Sequence, residues 1–374
     1  MTHPAQNPPV PTAPERIQYA SQWRLMWLRW RRHKLAVWSA TLLLVMYLTA
    51  LLCPFLAPYT LDHRNIDLAY APPQQLHVFG PDGFHLRPFV YGLIQQRQPE
   101  TLRRLYTDDA EQRFPIRLFV RGNSFRLMGL FETDFHLFGV REGGSIHLLG
   151  TDSEGRDVLS RILYGARISL TIGLVGVALS FLLGMLMGAV SGYYGGWVDH
   201  LIQRVIEIIR CFPSLPLWMA LAAALPRTWS PLMVYFGIIV VLSFIGWTGL
   251  ARQLRGMVLR LREEDFVTAA VLYGADRRRL MWRYLLPGCM SHVLVSLSLA
   301  VPGMILGETA LSFLGLGLRP PITSWGVLLQ EAQSVQVVAM APWLLTPVLF
   351  VIVTVLAFNF VGDGLRDAAD PYAS

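Results

Sequence analysis

Ile168-Ser-Leu-Thr-Ile-Gly-Leu-Val-Gly-Val-Ala-Leu-Ser-Phe-Leu-Leu-Gly-Met-Leu-Met-Gly-Ala-Val190 runs for 23 residues without a charged side chain. A bilayer core about 30 Å thick needs roughly 20 apolar residues of helix to cross it. This stretch is therefore read as a membrane-crossing helix, and it decides the fold class. Gly184, Gly188 and Gly192 recur along it and just past it at four-residue spacing. Glycines so placed share one helix face and let a second helix come close, a packing role rather than a ligand role.

Working outward, the whole chain has the same character. Its 374 residues are 53% apolar and 15% charged, against about 25% charged in soluble domains. A soluble protein of this make-up would expose large apolar patches. Disorder is excluded because it needs low hydrophobicity. The pattern predicts an all-α polytopic membrane protein with six transmembrane helices, near 35–55, 168–190, 201–225, 232–250, 288–313 and 343–361. The third is the weakest, because Glu207, Arg210, Pro213 and Pro216 lie in or beside it. Glu207 and Arg210 are three apart and can pair on a helix surface.

The segments between the apolar runs fix the organisation. Prolines at 4, 8, 9, 11 and 14 predict a disordered start. Residues 22–34 mix Trp23, Trp27 and Trp30 with Arg24, Arg29, Arg31, Arg32 and Lys34. That mixture suits both an interfacial amphipathic helix and the basic flank of the first span. The first long apolar run begins only at Leu35 and is too long for a signal-peptide core. Residues 59–151 carry ten arginines and ten acids. Apolar residues alternate from Pro115 to Arg121, and Gly122-Asn123 supplies a turn before Phe125, so a small β-containing domain is expected there. Thr151-Asp152-Ser153-Glu154 has the form of a capping box and predicts a helix start. The chain thus divides into a tail with its interfacial helix (1–34), helix 1 (35–57), an inserted domain (58–151), a five-helix core with a polar loop at 252–287 (152–362), and a charged tail (363–374).

Orientation follows from charge. The basic flank before the first span places the N-terminus in the cytoplasm, and six spans return the C-terminus there. The 252–287 loop then falls inside, and its eight arginines against four acids agree without having set the topology. The 59–151 segment falls outside. The net charge of +7 is read as this loop asymmetry, not as a nucleic-acid surface.

Little chemistry is legible. There is no G-x-x-x-x-G-K-[ST] phosphate cradle, no H-E-x-x-H, and no nucleophile elbow around Ser124. Cys53, Cys211 and Cys289 offer no disulfide or zinc spacing. His292, in an apolar stretch, is read as a packed or polar-paired histidine rather than a ligand. No catalytic residue and no metal ligand is expected. Glu308, deep in the fifth apolar run, is the one strong intramembrane acid, read either as a structural hydrogen-bonding group or as part of a pathway or gate.

The 252–287 loop is long yet neither Pro/Gly-rich nor repetitive. Residues 262–273 predict a short helix with Phe266, Ala269, Ala270 and Tyr273 on one face, ended by Gly274. A basic amphipathic stretch, 277–284, follows, and Leu286-Pro287 stops it. Such a unit either inserts into a partner's groove or packs on the membrane face.

Thr268-Ala269-Ala270, Gly274 and Leu286-Pro287 resemble the E-A-A-x-x-x-G…L-P loop of ABC importer permeases. Leu149-Gly-Thr-Asp-x-x-Gly-Arg-Asp157, Leu163-Tyr-Gly-Ala-Arg-Ile-Ser169, Gly192-Tyr-Tyr-Gly-Gly-Trp-Val-Asp199, Ala310-Leu-Ser-Phe-Leu-Gly-Leu-Gly317, Ala341-Pro-Trp343 and Gly362-Asp-Gly-Leu-Arg-Asp-Ala368 resemble the oligopeptide/dipeptide permease family, C-type subunit. Thr268 stands where that family usually has Glu. The resemblance implies a type I importer permease in a bacterial inner membrane. It also implies a coupling helix contacting an ATPase through Glu263, Asp265, Phe266, Thr268, Ala269, Ala270, Gly274, Ala275, Leu286 and Pro287. The implied partners are a second permease subunit, two ATPase subunits carrying ATP and Mg, an extracytoplasmic peptide-binding protein and membrane lipid. Rival readings are the same machine with oligosaccharide, nickel or peptide-antibiotic cargo, a stand-alone secondary transporter, and a signalling or scaffold membrane protein with the β domain as sensor.

Overall fold

The computed structural model describes residues 22–80, 83–98, 104–127, 131–140 and 143–369. The proline-rich start, expected to be disordered, lies outside the described residues. Helix α1 (Gln22–Trp30) carries Trp27 stacked on Trp30 at 5.3 Å. After a turn, α2 (Lys34–Leu51) begins under an N-cap from His33, whose Nδ1 accepts the Ala36 N–H at 3.1 Å. The short α3 (Cys53–Leu56) follows it.

The inserted region contains two antiparallel sheets. β1 (His77–Gly80), β2 (Gly83–Arg97) and β3 (Arg104–Pro115) form one, in sequence order; β4 (Arg117–Leu127) and β5 (Phe131–Gly139) form the other. Both halves of the insertion are therefore β, not the second alone. The turn expected at Gly122-Asn123 is instead an irregularity within β4, between Arg121 and Phe125. The extra residues are absorbed as a bulge. Gly122 is needed there, since a Cβ on it would stand 2.8 Å from the His136 ring.

α4 (Val158–Tyr194) is the central helix, 37 residues long. The expected helix start at Thr151-Asp152-Ser153-Glu154 is corrected: the helix begins six residues later under Asp157, whose carboxylate accepts the Ser160 N–H at 2.7 Å. Thr151 is turned away, its hydroxyl bonded to the Leu68 carbonyl, while Asp152 accepts the backbone N–H groups of Glu154 and Arg156. Gly155, at φ +71°, turns the chain between them. A Cβ there would stand 1.8 Å from the Asn65 carbonyl oxygen, so no other residue fits.

The weak third span is not one straight helix. α5 (Gly196–Cys211) and α6 (Ser214–Ala223) are bent by 89°. Pro213 is the cause: it holds Phe212 extended (φ −88°, ψ 138°) and ends the helix. Within α5, Glu207 pairs with Arg204 at 2.9 Å rather than with Arg210. α7 (Pro231–Leu261) starts with Ser230 as cap and Pro231 in its first turn, and runs on well past 250. α8 (Asp265–Leu272) and α9 (Arg277–Arg279) follow, then a π-helical turn Leu280–Leu285 and α10 (Leu286–Phe313). Leu286-Pro287, expected to stop the preceding stretch, does not stop it: the helix runs on into α10. The π turn shifts the ladder, the Leu286 N–H reaching Met281 O, and Pro287 falls in the first turn of α10, where its missing N–H costs little. α11 (Trp325–Gln330) and α12 (Val335–Met340) occupy the loop before α13 (Thr346–Ala369), which carries the charged segment after Gly362 as helix.

Among the described residues, five helical segments are long and apolar enough to cross a membrane: Lys34–Leu51, Val158–Tyr194, Pro231–Leu261, Arg277–Phe313 and Pro342–Ala369. A sixth crossing exists only if the bent α5–α6 pair counts as one. The main core joins Ile162, Leu170 and Ile172 of α4 to Ile238 and Leu242 of α7, Ile305 of α10 and Trp325 of α11.

Candidate functional site

Segment 262–287 is built from its helix ends. The Val267 N–H reaches Glu264 O at 3.0 Å to open α8. At the other end the Gly274 N–H bonds Val271 O at 2.9 Å, and the Ala275 N–H bonds Ala270 O at 3.0 Å. That pair of bonds is a Schellman motif, and it needs a left-handed residue at 274. Gly274 supplies it at φ +79°. Asp276 then caps α9, accepting the Arg279 N–H at 3.1 Å.

α8 has two unlike faces. Val267 and Ala270 are buried with Leu254, Val258, Leu280, Leu285, Leu286 and Cys289. Phe266, Leu272 and Tyr273 are 45, 83 and 93% exposed, with Ala269, Thr268 and Glu263 also at the surface. The expected four-residue face is thus split: Phe266, Ala269 and Tyr273 point outward, while Ala270 points into the protein. Leu286 is also buried, and Ala275 is half-buried. Leu272, which the sequence reading passed over, is among the most exposed apolar residues of the segment. A burial period alone could have found it, because Val267 and Ala270 fix the inner face.

The segment is fastened to α4 and α7. A Cβ on Gly184, Gly188 or Gly192 would stand 3.0, 2.6 and 2.9 Å from the carbonyl oxygens of Trp247, Ala251 and Arg255. The three glycines therefore let the α7 backbone lie against α4, one carbonyl per turn. Just beyond, Arg255 grips Asp199 with two bonds of 2.5 Å, and the Ser191 hydroxyl also donates to Asp199 at 2.5 Å. Arg262 reaches the Gly192 carbonyl at 3.4 Å. The sequence reading quoted Asp199 only within a motif and missed this clamp. Its partner lies 56 residues away, so no local signal marks it.

Glu308 sits in α10, fully buried. It accepts hydrogen bonds from Ser324 at 2.6 Å, Ser312 at 2.8 Å and Ser169 at 3.3 Å. This cage ties α10 to α4 and to the start of α11. A groove of about 380 Å³ runs elsewhere, between α4, α6, α7 and α10, lined by Ser180, Trp218, Gly246, Gln253, Ser296 and Gly303 among others. Glu308 does not line it.

At the opposite end of α4, Asp152 is buried between Arg156, at 2.8 Å, and Arg161. Glu331 from the loop before α12 completes the knot at 3.1 Å from Arg161 and 3.4 Å from Arg156. Beside it, Tyr59 stacks between His63 and His147, at 4.5 and 5.4 Å. Burial pushes the Tyr59 hydroxyl up to about 12, although the Ile146 N–H bond opposes this. Burial, and then the neighbouring His147, pull His63 below the usual histidine range.

The chain is similar to known transport components. The family described as "Binding-protein-dependent transport system inner membrane component" matches residues 180–373. The description "N-terminal TM domain of oligopeptide transport permease C" matches residues 21–73. The oligopeptide transport system permease protein OppC of Haemophilus influenzae is 42% identical over 226 residues, covering 60% of this chain and 70% of that protein. The dipeptide transport system permease protein DppC of Bacillus subtilis is 40% identical over 309 residues, covering 76% and 92%. A solved inward-facing structure of the MetNI methionine ABC transporter aligns with 56% of this chain and 97% of that one, at 16% identity and a TM-score of 0.44. The chain belongs to the family of binding-protein-dependent transport system inner membrane components, and it is a multi-pass inner-membrane transport subunit.

Proposed function

We propose that this chain is one of two different permease subunits of an ATP-driven importer of oligopeptides or dipeptides. The relatives named above are oligopeptide and dipeptide permeases, which supports that cargo. ATP and Mg are handled on two separate ATPase subunits, and an extracytoplasmic binding protein delivers the peptide. The observation that carries the reading is α8. A helix rigidly held by Val267 and Ala270 presents Phe266, Leu272 and Tyr273 to solvent beyond the apolar spans. Exposed aromatic and aliphatic side chains on a fixed helix suit a groove on a partner protein. Glu263, Asp265, Thr268, Ala269 and Gly274 surround that knob, while Ala270, Ala275 and Leu286 support it from within and the exposed Pro287 opens the helix that follows. The groove beside Ser180 and Gln253 is this subunit's half of the pathway. Glu308 holds its helix in register rather than meeting cargo.

Both termini and α8 lie in the cytoplasm, and residues 58–151 lie outside. Reconstituted with its second permease, both ATPases and the binding protein, the chain should support ATP-dependent uptake of labelled tripeptide. Uptake that persists without the ATPases, or a binding protein that delivers only sugar or nickel, overturns the assignment. A cysteine at Asn123 should react with an impermeant reagent from outside intact spheroplasts; labelling only after lysis reverses the topology.

A further inference from the structure

We propose that the β4–β5 hairpin stands on the lipid headgroup layer where α2 leaves the membrane, with Leu118 and Phe119 as its lipid contact. Three attachments, taken in order, set its orientation. The Phe55 ring lies 6.3 Å from the Phe119 ring. Two residues further along the exit, the Ala57 carbonyl bonds His136 Nδ1 at 2.7 Å, and His136 pairs with Val120. Three residues beyond that, the Asn123 amide reaches the Thr60 hydroxyl at 3.4 Å. The chain leaving the membrane and strand β4 therefore climb together. The start of β4 is nearest the bilayer, and the Leu127/Phe131 end is farthest, about 26 Å away at 3.3 Å per residue.

The low end of the hairpin is apolar and uncovered. Leu118 and Phe119 are 69 and 63% exposed. Phe119 sits at φ +56°, a conformation that favours glycine and is a marked outlier for an aromatic residue. Its ring meets Phe55 on one side and is otherwise open. The surface it joins belongs to a helix long and apolar enough to cross a membrane. Leu44, Leu48 and Leu51 are exposed along α2 at a/d spacing, and Phe55, half-buried, follows in the short α3. Phe55 meets Phe119, so apolar side chains follow one another from the end of the helix to the base of the hairpin. Phe and Leu on an apolar face that lies at the interface bury into the boundary of headgroups and acyl chains.

The test uses the full chain within the assembled transporter, in phosphatidylethanolamine/phosphatidylglycerol vesicles. Cys211, the exposed native cysteine, is replaced by Ser, and a nitroxide is attached at Phe119→Cys or at Glu132→Cys. Collisions with dissolved oxygen and with a water-soluble nickel chelate report the surroundings. At 119, oxygen access should exceed nickel access severalfold, with the reverse at 132 near the distal end. Nickel access at 119 equal to that at 132 would place the hairpin base in water. Low access to both reagents would show a protein partner covering it. Either result overturns the proposal, and Leu118→Cys provides the same reading if Phe119→Cys does not assemble.

Discussion

Small residues serve two regions of this protein in opposite ways. In the α4–α7 contact, Gly184, Gly188 and Gly192 all face one neighbour, and three α7 carbonyls, one per turn, fill the space their missing side chains leave. In α8, the run Ala269-Ala270 followed by Gly274 looks like a second such surface. There the three residues divide their work. Ala270 is buried in the chain's own core, Ala269 faces out, and Gly274 is needed for its φ of +79° rather than for closeness. Small side chains announce that something comes near. They do not say whether it is the same chain, a partner, or only a turn of the backbone.

The largest effect is expected from Gly188→Leu. A Cβ there meets backbone, Ala251 O at 2.6 Å and Ala251 Cα at 3.0 Å, so no side chain can move aside. The helices must separate, at an overpacking cost of about 1–3 kcal/mol. The Arg255–Asp199 clamp one turn further on would open with them. Recovery of the intact complex by detergent pull-down should fall severalfold. Full recovery with lost uptake would recast the glycine face as a moving contact.

Ala270→Arg comes next and tests the inner face. A guanidinium placed among Leu254, Val258 and Leu285 has no acidic partner in that cluster. The chain should show a lowered unfolding temperature in detergent, and ATPase co-purification should fall together with it. Tyr273→Asp should do something different. Its side chain is 93% exposed, so chain level and unfolding temperature should stay at wild-type values. ATPase co-purification and peptide uptake should still fall several-fold. If both substitutions leave stability unchanged, α8 has no inner face, and the division drawn above fails.

How much of this could be read from the sequence depends on the range of the signal. The apolar runs carry their own periodicity, so five membrane-crossing helices lie where hydropathy predicts them. Gly274 ends α8 because a helix end is a local event. The failures are not local. Thr151-Asp152-Ser153-Glu154 has the letters of a capping box, yet Thr151 is claimed by Leu68 and Ala71, some 80 residues earlier. Pro213 marks a helix end in the sequence, but the size of the bend, 89°, is not written there. Glu207 had two arginines within reach and took Arg204. The buried knot of Asp152, Arg156, Arg161 and Glu331 joins parts of the chain about 170 residues apart, and nothing in either segment names the other.

The smallest expected effect is Thr268→Glu, and it asks whether the outer face of α8 depends on its chemistry or on its shape. Thr268 is exposed, in the first half of an eight-residue helix. Glu is the better helix former, by a few tenths of a kcal/mol. A negative charge toward the N-terminal half of a helix is also mildly favourable. Against this, Glu263, Glu264 and Asp265 already crowd that end, so a fourth acid meets like charge. These terms are similar in size and opposite in sign. Stability should therefore change by less than about 0.5 kcal/mol, the usual range for an exposed substitution. Shape would be unaltered, since Phe266, Leu272 and Tyr273 keep their positions. Uptake and ATPase co-purification should stay within twofold of wild type when measured at equal membrane levels. A large gain in co-purification would mean that a cation on the partner waits opposite position 268, and that charge adds to the hold of the apolar knob. A large loss would place the partner's own acids there.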